Sequence, residues 1–352
     1  MQSTTPSPSC TSSCTSLSLS ASSEDDAPYQ DLLGMWSDLE AALGLLLARP
    51  ALVQQLPTKV MQLHTWLQEL VAHDSDSALY AMFQLAGTST VGYSASHALV
   101  CATLCHILAV DFELPPHERD ALVRAAFTMN IGMTTLQDQL ALQRDRPSIA
   151  QQEAIRLHPQ EGRRKLEELG IQDTLWLDTV GLHHINTAAQ APLMQQPPAE
   201  RLARILATCD RYAAMISPRR NRPGRSVADS VQAVTGPQSK LYEQAGDALI
   251  RCVGLFPPGV YVALSTAETA VVVRRTTDIG HPLVATLLDA RKAPLRQPEL
   301  ISTASRAVRI THALPPHDVN LQVNHRTLVQ LGMYAARFSD GLHQLVSVPG
   351  TR

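Results

Sequence analysis

The feature of this chain that most restricts its fold is a series of histidines, ending in an aspartate, whose members lie far apart in the sequence. They fall in or beside several segments in which apolar residues recur at helical spacing. Imidazole nitrogens and carboxylate oxygens are the usual protein ligands of borderline and hard divalent cations. If these segments form one helical bundle, the side chains could converge on one metal centre. The series is His97, His158, His183, His184 and Asp210.

The apolar pattern predicts a mainly α-helical protein with a core of substantial size, since 45% of the residues are apolar. Ser148, followed three residues later by Gln151, is typical of a helix N-terminus. Pro159 directly follows His158, and the missing backbone N–H of proline predicts that the helix bends or restarts there. The expected helices of this central part span about 94–110, 116–129, 148–170, 173–184, 198–216 and 240–253.

Composition divides the chain into four regions. Residues 1–28 are rich in Ser, Thr and Pro and predict a disordered tail. Residues 29–90 predict an N-terminal helical region, and residues 91–255 hold the histidine series. After Phe256-Pro257-Pro258-Gly259, two short β-prone runs indicate a hairpin, so residues 256–352 are expected to form a β-hairpin and a mixed extension.

Charge and targeting signals limit the possible functions. The formal net charge of −3 gives no general attraction to nucleic acid or to an anionic membrane, so we expect neither DNA, RNA nor a membrane as a partner. The polar N-terminus lacks the basic start and apolar stretch of a signal peptide, which predicts a cytoplasmic protein. The six cysteines form no disulfide framework or zinc-ribbon pattern.

The sequence around the histidines carries short motifs in a fixed order. Gly92-Tyr93-Ser94 precedes His97, Ile131-Gly132 follows Met129-Asn130, and Glu161-Gly162 follows His158-Pro159. Further along come Cys209-Asp210-Arg211-Tyr212-Ala213-Ala214 and Phe256-Pro257-Pro258-Gly259. From about residue 90 to 285 this order resembles the HD-GYP branch of the HD-domain metal-dependent phosphohydrolases. The resemblance implies an HD-domain helical bundle with a small C-terminal β-hairpin appendage.

The resemblance also implies a site. Members of that family hold two or three metal ions and hydrolyse a phosphodiester, typically that of cyclic di-GMP. Matching positions make the five members of the histidine series candidate metal ligands. Arg219 and Arg222 fall where the family has a segment after its last ligand, and guanidinium groups bind phosphate well.

The chain departs from the family where the chemistry needs charge. The family's His-Asp pair reads Met129-Asn130, and the lysine expected after Ile-Gly is Met133. A thioether is a soft ligand, and an amide oxygen attracts a hard cation less than a carboxylate does. The Gly-Tyr-Pro loop is absent, and His183-His184 is followed by Ile185. These departures predict that hydrolysis is impaired or absent and that one divalent metal remains, either iron, manganese or zinc.

We therefore expect a binding or regulatory module in cyclic-dinucleotide signalling, with a cyclic dinucleotide and signalling proteins as partners. One alternative is an active cyclic di-GMP phosphodiesterase with a reduced metal site, and another is a helical scaffold without a ligand. A further site hypothesis rests on spacing alone. His97, Cys101 and Cys105 recur every four residues, which places them on nearly one helical face and would suit zinc.

Overall fold

The apolar segments fold into eleven α-helices among the residues that the computed structural model describes, which are 32–185, 191–217, 243–304, 307–319 and 321–345. The mainly helical prediction is confirmed. The predicted tail of residues 1–28 lies outside the described residues. The helices are α1 Leu32–Ala48, α2 Leu56–His73, α3 Ser75–Thr88, α4 Tyr93–Asp111, α5 Pro116–Thr128, α6 Thr134–Leu142, α7 Ile149–Glu168, α8 Thr174–Leu182, α9 Pro198–Ile216, α10 Glu243–Val253 and α11 His325–Leu345.

Two of the helices that carry the histidines begin at capping residues. Ser148 and Gln151 form the predicted capping box at the start of α7. Asp173 accepts a hydrogen bond from the backbone N–H of Trp176 at 3.1 Å and so caps α8. These side chains satisfy backbone donors that a helix start leaves without partners. The start points of both helices are therefore encoded locally.

The predicted restart at Pro159 is wrong, because α7 continues through this proline, and the alternative of a bend stays a prediction. Proline has no N–H for the carbonyl of Ile155, four residues earlier. The Nδ1–H of His158 donates to that carbonyl instead, at 2.5 Å. The side chain of His158 thus replaces the backbone hydrogen bond that Pro159 removes, and the helix continues.

The C-terminal region forms a five-stranded antiparallel sheet, with strands β1 Tyr261–Leu264, β2 Thr269–Arg274, β3 Leu283–Leu288, β4 Pro294–Ser302 and β5 Ile310–Leu314. The strand order is β4-β3-β2-β1-β5. The predicted hairpin is present as β1 and β2, with Tyr261 opposite Val271. The predicted hairpin appendage is smaller than the sheet, because three further strands follow where a mixed extension was expected. Pro294 and Pro298 obscured β4 in the sequence, but β4 lies at an edge of the sheet, where proline is tolerated.

The sheet is fixed to the helices by ion pairs at the start of α3. Arg274 at the end of β2 contacts Asp74 at 2.9 Å, and the adjacent Arg275 contacts Asp76 at 2.6 Å. Helix α11 also approaches β2, so closely that a Cβ on Gly332 would lie 2.6 Å from the carbonyl oxygen of Val273. The sheet and the helices share one hydrophobic core. The predicted boundaries at residues 90 and 255 stay predictions.

Helix α4 runs through this core, and most of its side chains are buried. Among the described helices it is the one with the length and apolar composition to cross a membrane, and 78% of its most apolar window is buried inside the protein. Burial in the core accounts for this composition. Helix α4 packs against α5 and α9, and α8 packs against α5, α7 and α9. The elements that carry the histidine series are therefore neighbours.

Candidate metal centre

The N-terminus of α4 is anchored three residues before His97. The carboxylate of Asp138 in α6 accepts hydrogen bonds from the backbone N–H of Ser94 at 2.7 Å and from its hydroxyl at 2.9 Å. The ring of Tyr93 stacks on the imidazole of His97, with a centroid separation of 5.4 Å and an interplanar angle of 13°. These contacts fix the direction in which His97 enters the interior, where it is buried.

His97 meets Asp210 of α9 in the interior. Its Nε2 lies 2.8 Å from Oδ1 of Asp210 and 3.7 Å from the sulfur of Cys101, one helical turn further along α4. Burial alone would raise the pKa of Asp210, but the hydrogen bond from His97 and the nearby imidazoles hold that pKa well below its usual range. Asp210 is therefore an anion in the interior.

His158 and His183 face each other across the interface of α7 and α8. The Nδ1 of His158 contacts the carbonyl of Ile155, and the Nδ1 of His183 contacts the carbonyl of Val180 at 2.7 Å. A carbonyl oxygen only accepts, so both Nδ1 atoms carry the proton. In the neutral rings both Nε2 atoms are then unprotonated, and they lie 3.2 Å apart.

His184 completes this group and connects it to Asp210. Its ring centroid lies 4.2 Å from that of His183 and 5.0 Å from that of His158. Its Nε2 is 3.9 Å from Oδ2 of Asp210, whereas Oδ1 of the same carboxylate faces His97. The structure thus brings all five side chains of the histidine series into one continuous cluster. With 45% of its side chain exposed, His184 also opens the cluster to solvent.

The three histidines are suited to a divalent cation. Burial lowers the pKa of His158 to about 4 and that of His183 to about 3, so both rings are neutral near pH 7. Two lone pairs 3.2 Å apart repel each other unless a cation lies between them. The Nε2 of a neutral imidazole whose Nδ1–H is bound to a carbonyl is a common ligand for zinc and similar ions. Within the described residues, ligand atoms within 4.8 Å of one another form two sets, which are His158, His183 and His184, and His97, Cys101 and Asp210.

The Met129-Asn130 pair lies in the turn that connects α5 to α6, next to the histidine-bearing helices. Thr128, just before the pair, accepts a hydrogen bond from the indole N–H of Trp176 in α8 at 2.8 Å. The carbonyl of Ile131, just after the pair, accepts one from the ammonium group of Lys165 in α7 at 3.3 Å. Met129 is fully buried and Asn130 nearly so. The turn therefore contributes an apolar and an uncharged side chain beside α7 and α8.

Replacing Gly132 with alanine is expected to destabilise the protein by about 1–3 kcal/mol, because overpacking forces backbone shifts. A Cβ on Gly132 would lie 2.9 Å from the backbone nitrogen of Gly162 and 2.9 Å from the carbonyl oxygen of His158. Gly87→Ala in α3 is the matched control, since nothing lies within 4 Å of its Cβ position. That control should be neutral or stabilising by up to about 1 kcal/mol. Urea unfolding measures the free energy of unfolding of both variants. Equal changes in the two would contradict the close approach of the turn to α7.

Acidification is expected to destabilise the metal-free protein. The unfolded state titrates its histidines near pH 6.5, whereas His158 and His183 take up protons in the folded state only near pH 4 and pH 3. The unfolded state therefore binds more protons below about pH 6.5, and stability that is complete above this pH is lost as the pH falls. Urea unfolding in a chelator should show a loss of about 2–5 kcal/mol between pH 7 and pH 5. A His183→Gln variant should lose less, and equal pH dependence in both proteins would argue against a buried neutral pair.

Some predicted residues lie outside the described part of the chain, and one contact was missed. Arg219 and Arg222 are outside the described residues. The spacing that suggested a site of His97, Cys101 and Cys105 grouped the wrong third residue, because Asp210 rather than Cys105 joins the first two. Cys105 instead hydrogen-bonds to Cys209. The four-residue spacing of His97 and Cys101 was the signal for two of the three members of this group.

Comparison with known proteins gives one relative. The chain is 27% identical over 213 residues to the cyclic di-GMP phosphodiesterase PA4108 of Pseudomonas aeruginosa, over 58% of this chain and 50% of that protein. The chain thus spans about half the length of the curated relative it matches. No family model matches the chain, and no solved structure matches it significantly. The relative supports an HD-GYP-like family for this chain, as the order of the motifs predicted.

Proposed function

We propose that this chain is a metal-binding, hydrolytically impaired member of its family that serves as a binding or regulatory module for a cyclic dinucleotide. The observation that carries the proposal is the contrast between the donor cluster and the turn that packs against α7 and α8. Three histidines and Asp210 form a compact donor cluster, while the turn between α5 and α6 offers only buried Met129 and Asn130. We take the helices around this cluster to be an HD-domain bundle.

The donor set suits cation binding better than phosphodiester hydrolysis. A cation bound here would supply Lewis acidity toward a phosphate oxygen. His158, His183 and His184 would hold it, with Asp210 providing negative charge nearby. Neither Met129 nor Asn130 offers an anionic oxygen, so a pair of divalent cations would have less negative charge to offset their mutual repulsion. Hydrolysis that depends on two ions should therefore be weak.

Phosphate recognition has two possible contributors in this chain. Arg219 and Arg222 remain candidates from the sequence. A cavity of about 280 Å³ also lies beside the turn, and it is lined by Gly132, Met133 and Lys165, among others. Lys165 therefore lines the same cavity as Met133, the position at which the family pattern has its lysine. A phosphate group bound near the turn would lie close to the positive charge of Lys165.

Calorimetry and a turnover assay on the same sample test the proposal. Cyclic di-GMP should bind the zinc- or manganese-loaded chain with measurable heat, while the nucleotide stays intact over hours with manganese or ferrous iron added. Arg219→Ala and Arg222→Ala should each weaken binding by on the order of 1–3 kcal/mol. Absence of binding would reject the ligand, and rapid turnover would reject the impaired chemistry.

A second candidate function, an active phosphodiesterase with a reduced metal site, is favoured by the orientation of Asp210. Its Oδ1 faces His97 and its Oδ2 faces His184, so one carboxylate reaches both donor groups. Such a carboxylate is suited to bridging two cations. If the parent chain turns over cyclic di-GMP and His183→Ala or His184→Ala abolishes the activity, this candidate replaces the first.

A further inference from the structure

A second donor group lies beside the three histidines, and one of its members is a cysteine. His97 and Cys101 are one turn apart on α4, and Asp210 approaches them from α9. His97 and Cys101 are fully buried, and the side chain of Asp210 is 18% exposed. The group therefore combines a nitrogen, a sulfur and an oxygen donor at the interface of α4 and α9. The two donors on α4 are shielded from solvent, whereas the carboxylate on α9 is partly exposed.

The separations are close to those of ligands on one small cation. The sulfur of Cys101 lies 3.7 Å from the Nε2 of His97. Zinc binds sulfur at about 2.3 Å and nitrogen at about 2.0 Å, so two such ligands on one tetrahedral ion are about 3.5 Å apart. The Nε2 of His97 is 2.8 Å from Asp210 as a hydrogen bond, and an ion between them would move the two atoms slightly apart.

The other cysteines nearby are arranged differently. Cys105 lies one further turn along α4 and is equally buried, but it hydrogen-bonds to Cys209. Its sulfur is not among the donor atoms grouped with His97 and Asp210. The sulfur of Cys101 instead lies 3.7 Å from the Nε2 of His97, within the group that also contains Asp210.

The charges of the group also favour a dication. Asp210 carries one negative charge, and a thiolate at Cys101 would add a second. A divalent ion bound to both, with a neutral His97, gives a site with no net charge, which limits the cost of burial. The thiol proton leaves to solvent as the ion binds, since a coordinating thiol is deprotonated by the metal. The neutral ring of His97 carries its proton on Nδ1 once Nε2 binds the ion, so the hydrogen bond from Nε2 to Asp210 is replaced by the two bonds to the ion.

We propose that Cys101 is a thiolate ligand of a second cation site, formed with His97 and Asp210 and selective for zinc-class ions over manganese or magnesium. The proposal rests on the metal-binding function argued above, and Asp210 is shared with the three-histidine group. Thiolate is a soft ligand that favours zinc and cobalt over the harder ions.

Cobalt(II) titration of the full chain tests this site without any activity measurement. A cobalt–thiolate bond gives a near-ultraviolet charge-transfer band, whereas cobalt bound by histidines alone gives only weak visible bands. We expect the charge-transfer band in the parent, its loss in Cys101→Ser with one fewer cobalt bound per chain, and its retention in the matched control Cys105→Ser. Zinc should displace the cobalt, and excess manganese should not.

The outcomes separate this proposal from the proposed function. Cobalt binding without a charge-transfer band, or a band that survives in Cys101→Ser, overturns the thiolate ligand and leaves the three-histidine site intact. Failure of the parent to bind cobalt overturns both. If Cys101→Ser does not fold, zinc X-ray absorption on the parent decides: a sulfur neighbour at about 2.3 Å supports the site, and only nitrogen and oxygen at about 2.0–2.2 Å overturns it.

Discussion

Replacing His183 with alanine is expected to lower the affinity of the three-histidine group for zinc by more than about 100-fold, the upper end of the loss seen when an outer-sphere partner is removed. His183 is buried, and its Nδ1–H is bound to the carbonyl of Val180, so its Nε2 is already directed at the cation. Its removal leaves His158 and the half-exposed His184 as the only imidazoles of this group. Competition with a chromophoric chelator measures the change, in a Cys101→Ser background that isolates this group.

His64→Ala is the matched control for this experiment. His64 is also buried, and desolvation lowers its pKa to about 4, but it lies on α2, and the carboxylate within reach is that of Asp120 at 3.9 Å. The control should lose stability and keep its zinc affinity. An equal loss of affinity in the two variants would mean that His183 acts through the fold rather than as a ligand.

The convergence of the five side chains could be predicted from the sequence, but their protonation could not. The order of the motifs suffices to select the five side chains that the structure brings together. Whether an imidazole presents a lone pair or a proton depends on what binds its other nitrogen. For His158 that partner is the carbonyl of Ile155, available only because Pro159 follows. A rule that considers proline alone predicts a bend or a break in the helix, because it leaves out the side chain that replaces the lost backbone N–H.

Contacts between different helices also could not be predicted from the spacing of residues within one helix. A four-residue repeat relates His97, Cys101 and Cys105 within one helix. The approach of Asp210 to the first two depends on how α4 packs against α9, which no local pattern specifies.

In the C-terminal region, local sequence propensity was not sufficient to predict strand β4 and helix α11. Edge strands need little burial, so β4 lacks a clear alternation of apolar residues and contains two prolines. Helix α11 begins at His325, whose Nδ1 lies 2.8 Å from the hydroxyl of Tyr80, 245 residues earlier in the chain. Such long-range contacts stabilise these elements. A window of ten residues contains only one of the two partners, so it cannot predict the contact.

Restoring the family's charged residues is expected to raise cyclic di-GMP hydrolysis by at least about 100-fold, the typical effect of one well-placed electrostatic group. The variant is Met129→His, Asn130→Asp and Met133→Lys. It would place an imidazole and a carboxylate in the turn between α5 and α6, and an ammonium group on the cavity that already contains Lys165. A second anionic oxygen near the cluster would reduce the repulsion between two cations and lower the pKa of water bound to them.

Turnover is measured with manganese or ferrous iron present throughout, because position 129 is fully buried and an imidazole there is costly without a bound ion. The control adds His183→Ala to the restored variant and should return its rate to the background. A restored variant that binds two ions and hydrolyses no faster than the parent would show that Met129, Asn130 and Met133 do not limit the chemistry. A parent that is already fast would lead to the same conclusion, because the cluster of histidines with Asp210 and Cys101 would then supply enough charge by itself.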